Sequence, residues 1–199
     1  MFARQLCQSG VAICPVDIRG HGHSVGRRGH VTPPDRIWHD IDILLDTMLE
    51  RFSQSRIHLL GHSSGGGMLI NYFTRHLPRE FLHNLILIAS ELALFAREGR
   101  HKQPAVPFAD ACLWPFMINA LSGCLLLGNY STVQLNLPQN VLVAEPGFVQ
   151  RDSVNRANAL TPRYPAKQPG KLPLPTLLLA VETMSYLLWM HYTHRPKKG

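Results

Sequence analysis

The residues whose types and spacing point most directly to chemistry are Ile57-His58-Leu59-Leu60-Gly61-His62-Ser63-Ser64-Gly65-Gly66-Gly67. A short apolar run enters Gly-x-Ser-x-Gly and leaves into Met68–His76, which reads as a helix stopped by Pro78. A strand, a sharp turn at serine and a helix together form a nucleophile elbow. The turn forces Ser63 into strained backbone, and Gly61 and Gly65 keep strand and helix free to approach. The hydroxyl is thereby lifted clear of the strand's carboxyl end. The N–H of Ser64, at the start of the helix, would face an oxyanion. Ser64 is the poorer nucleophile, because the residue two before it is the bulky His62. No Lys follows the glycines, which speaks against a phosphate-cradling loop. A serine hydroxyl also needs a general base, itself oriented by an acid.

These residues must be held by a sheet. Val11–Val16 is apolar and β-branched, preceded by Gly10 and closed by Asp17, and reads as a buried strand. A loop with glycines at 20, 22, 26 and 29 follows. Thr32-Pro33-Pro34-Asp35 offers a helix start, with a cap candidate and prolines suited to a first turn. Ile37, Ile41, Leu44, Leu45, Met48, Leu49 and Phe52 then recur at helical spacing, marking a helix with one buried face. Ile57–Leu60 and Asn84–Ala89 read as two further buried strands. Apolar strands alternating with helices predict an α/β fold, a mostly parallel sheet flanked by helices. Residues 91–135 look helical and apolar, with a break at Pro104 and Pro107. Residues 136–175, rich in proline, read as irregular connection. Thr176–His194 reads as a helix by its length, with a last buried strand beginning at Pro175 as the other reading. The organisation expected is thus a core over 1–90, an apolar helical lid over 91–135, and a connection with a terminal element over 136–199.

Two motifs carry a family resemblance. Gly61-His62-Ser63-Ser64-Gly65-Gly66 and Asp17-Ile18-Arg19-Gly20-His21-Gly22-His23-Ser24-Val25-Gly26 together resemble the α/β-hydrolases. Within that fold the likeness is to the serine-hydrolase branch holding monoacylglycerol lipases, lysophospholipases and serine aminopeptidase-like (S33) proteins. The likeness is specific over roughly residues 5–90 and looser to about Pro146. It implies acyl transfer to water through an acyl-enzyme, with Ser63 as nucleophile, the Ser64 amide as oxyanion donor, and no cofactor. It implies that the loop of His21 and His23 supports the site, with Asp17 and Arg19 fixing it by an ion pair or hydrogen bonds. His39, Asp40 and His58 read as surface or satisfied groups. Trp114, Phe116, Met117, Leu121 and Leu125 would cover an acyl chain, or else simply bury the sheet's open face.

The resemblance also sets out what is missing. The family's acid follows a strand of the type Pro-Thr-Leu. If Pro175 begins that strand, Met184 stands where the acid belongs and Glu182 lies two residues short. If Thr176–His194 is instead the helix before that strand, the chain stops before the acid is reached. Either way the usual acid is absent, and His191 or His194 as a substitute base is the disfavoured reading. Few residues precede Val11, so a chain truncated at both ends is expected. The alternative function is therefore a catalytically inactive hydrolase-like fragment or interaction protein without the triad acid and base.

Composition narrows the remainder. Of 199 residues 45% are hydrophobic and 17% charged, which suits one globular domain and excludes a disordered or collagen-like chain. The formal charge of +7 is scattered rather than clustered, so nucleic acid is not an expected partner. The expected partners are a small-molecule or lipid ester and, through the lid, a peripheral membrane surface; oligomeric state is left open. Cys7, Cys14, Cys112 and Cys124 form no CxxC pair, and the histidines have no i,i+4 pairing on one helix, so no metal site is expected. The four thiols read as small buried apolar groups in a reducing compartment. Met1–Gly10 lacks the basic head and apolar run of a secretory signal, and a cytoplasmic setting is expected.

Overall fold

The computed structural model describes residues 2–90, 108–144, 147–165 and 167–179. Helix α1 (Phe2–Gln8) precedes the glycine loop, and helix α2 (Arg36–Arg51) follows it. Strand β1 (Ile57–His62) then runs directly into helix α3 (Ser64–Phe73), and strand β2 (Leu82–Ile88) closes this part. Beyond the undescribed segment come β3 (Ala109–Ala111), α4 (Trp114–Leu121), β4 (Ser131–Leu135), α5 (Gln139–Ala144), β5 (Arg151–Ser153) and α6 (Val154–Leu160). A 3-10 turn at Pro169–Lys171 leads to β6 (Thr176–Leu179).

Among the described residues the strands form two three-stranded sheets. β1, β2 and β6 lie side by side in that order and are all parallel. Leu60 stands beside Ile86, which in turn stands beside Leu177. β3, β4 and β5 form a separate antiparallel sheet. One apolar core joins α2 (Ile37, Trp38, Ile41, Leu45), α3 (Leu69, Ile70, Tyr72, Phe73) and β2 (Leu85, Leu87) to Ala159, Leu160, Leu172 and Leu174 from the C-terminal part. Parallel strands need crossover helices over the sheet, and α3 fills that role between β1 and β2.

The helix of the Ile37 stripe forms as the periodicity predicts, with Trp38 added to its buried face. Trp38 is buried because its indole N–H donates to the Ala159 carbonyl at 3.2 Å and the Arg75 guanidinium lies 4.2 Å over its ring. Asp35 occupies the position before this helix, although its side chain makes no capping hydrogen bond.

Five expectations are corrected. Val11–Val16 is neither a strand nor buried: Val11 and Val16 are about half exposed, at 48% and 50%. A strand is a pairing, and no described strand lies beside this one. The region read as helical keeps one helix, α4, and contributes β3 and β4 to the antiparallel sheet; its residues 91–107 lie outside the described residues. The region read as irregular contains α5, β5 and α6. Thr176–Leu179 is a strand, because the Pro175 and Leu179 carbonyls accept from Leu85 and Ala89, at 3.0 and 2.8 Å. The rest of that segment lies outside the described residues. Finally, all four cysteines are free and exposed rather than buried.

Candidate active site

Ser63 sits at the junction of β1 and α3 with φ 51° and ψ −121°, a conformation that costs a non-glycine residue of order 1–3 kcal/mol. Hydrogen bonds hold it there. Its N–H donates to Ile88 O at 3.0 Å, fixing the end of β1 to β2. Its carbonyl accepts from Gly66 N–H at 3.0 Å and Gly67 N–H at 3.3 Å, which starts α3. Neither residue that follows, Ser64 or Gly65, donates its N–H to a described backbone acceptor. Ser63 is half-buried and Ser64 exposed.

The glycines show why this turn needs them. A Cβ on Gly61 would lie 2.7 Å from the Gly65 carbonyl oxygen and equally close to the backbone of Gly66. A Cβ on Gly66 would overlap the Ser90 hydroxyl, just beyond β2. Gly65, by contrast, faces open space. The close approach expected of Gly61 and Gly65 therefore belongs to Gly61 and Gly66. Ser90 itself is 4% exposed, and among the described residues its hydroxyl has no hydrogen-bond partner.

The glycine loop is built as a support. The Asp17 carboxylate accepts from His23 N–H at 2.9 Å, and the Asp17 carbonyl accepts from the Ser24 hydroxyl at 2.5 Å. A Cβ at Gly22 would collide with the Asp17 carboxylate, and its φ is 46°. Arg19 pairs with Asp40 of α2 rather than with Asp17, through Nε at 2.7 Å and Nη2 at 2.6 Å. Asp40, read as a surface group, is thus the loop's anchor. His39 is exposed, and His58 bonds Asn84 across β1 and β2 at 3.1 Å on the exposed face.

Behind the loop stands Arg156 of α6, whose side chain is fully buried. It donates to the Arg19 carbonyl at 3.0 Å, touches both ring nitrogens of His21, and lies 2.7 Å from the Asp152 carboxylate. That last contact is held by charge, since its alignment falls short of a hydrogen bond. Burial, then repulsion from Arg156 and Arg28, pushes the His21 pKa down to about 4. His21 is therefore neutral at pH 7 and can accept from Arg156. Burial also raises the Asp152 pKa against the pull of Arg156. Neither Asp152 nor Arg156 stands out in the sequence, because the contact to His21 spans 135 residues.

A second clasp was equally hidden. Asn71 of α3 donates to the carbonyls of Asn158, Ala159 and Thr161 at 3.2, 3.1 and 2.8 Å, and accepts from Gln168 at 3.1 Å. It ties the elbow's helix to the C-terminal part of the core.

Among the described residues no acid or histidine hydrogen-bonds the Ser63 hydroxyl, and no group of three or more His, Cys, Asp or Glu is placed to hold a metal ion. Glu182, Met184, His191 and His194 lie outside the described residues. Of the residues suggested as an acyl cover, Trp114, Met117, Leu121 and Leu125 are exposed, the last two at 86% and 85%. No helix among the described residues is long and apolar enough to cross a membrane.

Residues 1–119 match the family described as serine aminopeptidase, S33. Protein phosphatase methylesterase 1 of Candida albicans is 31% identical over 132 residues, which are 64% of this chain and 35% of that protein. This chain thus spans about a third of the length of the curated relative it matches. The crystal structure of Paleococcus ferrophilus monoacylglycerol lipase is 20% identical and aligns with 82% of this chain and 60% of its own, at a TM-score of 0.47. The match spans more than half of the chain, the elbow and its glycine loop included: the chain belongs to the serine aminopeptidase (S33) family, in the serine-hydrolase branch of the α/β-hydrolases.

Proposed function

We propose that this chain carries the nucleophile half of a carboxylic-ester hydrolase, with Ser63 as the attacking group and the Ser64 N–H as one oxyanion donor. One observation carries the reading: the strained Ser63, fixed from both sides by hydrogen bonds to β2 and α3, at the tip of a parallel strand. Such strain is maintained only where the surrounding structure over-determines it, and it holds a nucleophile in position before substrate arrives. The N–H groups of Ser64 and Gly65, without an acceptor among the described residues, stand at the start of a ten-residue helix and support the oxyanion role. The relative named a methylesterase fits an ester as substrate.

The reaction is acyl transfer. Ser63 Oγ bonds the ester carbonyl carbon, the alcohol leaves with a proton, and water then releases the acid. Residues 91–135 would form the cover over the acyl group. The absence of any Asp, Glu, Lys, Arg or His from Ala111 to Ala144, and the exposed Leu113, Trp114 and Met117, favour an apolar acyl chain and contact with a lipid surface. A series of p-nitrophenyl esters of increasing acyl length tests this. Hydrolysis should rise with chain length and vanish in Ser63→Ala. Equal rates for the two proteins would contradict it.

A second reading is favoured by one observation, the lack of an acid or base on Ser63 among the described residues. The chain would then be a hydrolase-like binding module. Ester binding without turnover, unchanged in Ser63→Ala, distinguishes the two.

A further inference from the structure

Gly29 ends the glycine loop against β5. Its carbonyl accepts from Ser153 N–H at 2.9 Å, and a Cβ on it, where φ is 70°, would overlap the Arg151 carbonyl oxygen. Two arginines are thereby brought to one wall, Arg28 from the loop and Arg151 from β5. With Gln134, Phe148 and Gln150 they line an open cavity of about 560 Å³. Cavities that hold small organic ligands span roughly 300–1,000 Å³.

The charge on this wall is unmatched. Neither Arg28 nor Arg151 forms an ion pair among the described residues, whereas Arg19, Arg79 and Arg156 all do. No described lining residue is acidic. The neighbouring carboxylates are engaged elsewhere. Asp152 alternates to the other face of β5 and lies against Arg156. Asp110, beyond Gln134 in β3, accepts from Asn136 at 2.7 Å. Arg151 is nonetheless oriented, since its Nε–H donates to Gln134 Oε1 across the β4–β5 pair at 2.7 Å. That bond leaves its Nη hydrogens for a ligand, and Arg28 keeps its whole fork of donors. The Arg28 charge reaches into the loop, where it helps to depress the His21 pKa. The N–H groups of Phe148 and Gln150 donate to no described acceptor and add to the donors in the wall.

We propose that this cavity binds a phosphomonoester, with the phosphate between Arg28 and Arg151 and the organic group against Phe148. Charge selects the anion. A phosphomonoester carries about −1.5 to −2 at neutral pH and three acceptor oxygens, which two planar guanidinium forks can share. A carboxylate brings one charge and fills one fork. Phe148 is 43% exposed and offers an aromatic face to the organic group. None of the lining residues belongs to the elbow, so the site stands whether or not Ser63 is a nucleophile.

Isothermal titration of the full chain with phenyl phosphate tests this, with inorganic phosphate and benzoate beside it. The expected result is one phenyl phosphate bound per chain, more weakly as NaCl rises. Inorganic phosphate and benzoate should each bind at least about tenfold less tightly. Arg28→Gln and Arg151→Gln should each lose about tenfold or more. Both side chains are exposed, so the circular dichroism should not change. Phe148→Ala should bring phenyl phosphate down to the level of inorganic phosphate. Absence of binding at millimolar phenyl phosphate overturns the proposal. So does binding that survives both arginine changes, or equal affinity for the two phosphates, which marks an adventitious ion only. Benzoate bound as tightly as phenyl phosphate would make this a carboxylate site, contrary to the proposal. Glu145 lies outside the described residues, and Glu145→Gln supplies the last check. An affinity that rises about tenfold in that variant would mean that the chain's own carboxylate fills the cavity, and would overturn the proposal too.

Discussion

At Ser63 the backbone carries a positive φ that serine tolerates poorly, and the glycines around it are not equivalent. Ser63→Gly should raise stability by roughly 1 kcal/mol by removing that strain, while ending any serine chemistry. The neighbouring glycines separate by what their Cβ atoms would meet. Gly61→Ala should cost about 1–3 kcal/mol, since the obstacle is backbone that cannot rotate away. Gly66→Ala should be destabilising in the same range, by displacing the buried Ser90. Gly65→Ala should be tolerated. Urea unfolding of the three proteins checks the order, and a Gly65→Ala as damaging as Gly61→Ala would contradict the packing described here. The motif made the turn legible in the sequence. It did not reveal which glycine the sheet abuts, because Gly65 and Gly66 differ only in the direction they face.

Among the elements, the loop from Asp17 to Gly29 and helix α6 depend on each other through Arg156. Removing one partner of a buried ion pair leaves the other charge uncompensated. Arg156→Met alone should therefore destabilise by about 3–5 kcal/mol, and Asp152→Leu with Arg156→Met by less. Thermal melts of the single and double variants would show it. His21 adds a dependence on pH. Its folded pKa of about 4 lies below the ordinary value of about 6.5, so the unfolded chain binds the proton more readily. Stability from this group is complete above about pH 6.5 and is lost as the pH falls through about 4. The melting temperature of the natural protein should drop between pH 7 and pH 5, and His21→Asn should flatten part of that slope. The elements with local signals were legible: the α2 stripe, β1, β2 and the elbow. Val11–Val16 was misread because apolar β-branched character marks a segment able to pair, whereas pairing needs a neighbour. Thr176–Leu179 was misread because a long apolar run suits helix and buried strand alike, and only β2 decides between them. The antiparallel sheet and the Asn71 clasp join residues distant in sequence, which periodicity does not encode.

For the molecule as a whole, the parallel sheet, α2 and α3 share one core with Leu172 and Leu174, so the elbow depends on packing contributed from well beyond it. Asn71→Leu would leave the Asn158, Ala159 and Thr161 carbonyls without their donor, at a cost of about 1–3 kcal/mol. Under the proposed function, ester hydrolysis should fall alongside stability in that protein. The proposed function requires Ser63 to act as an activated nucleophile. The direct measurement is intact-protein mass after exposure to a fluorophosphonate probe, with Ser63→Ala beside it. The account predicts one adduct per natural chain and none on Ser63→Ala. A correctly folded natural protein that stays unlabelled, or a Ser63→Ala protein labelled equally well, would contradict it.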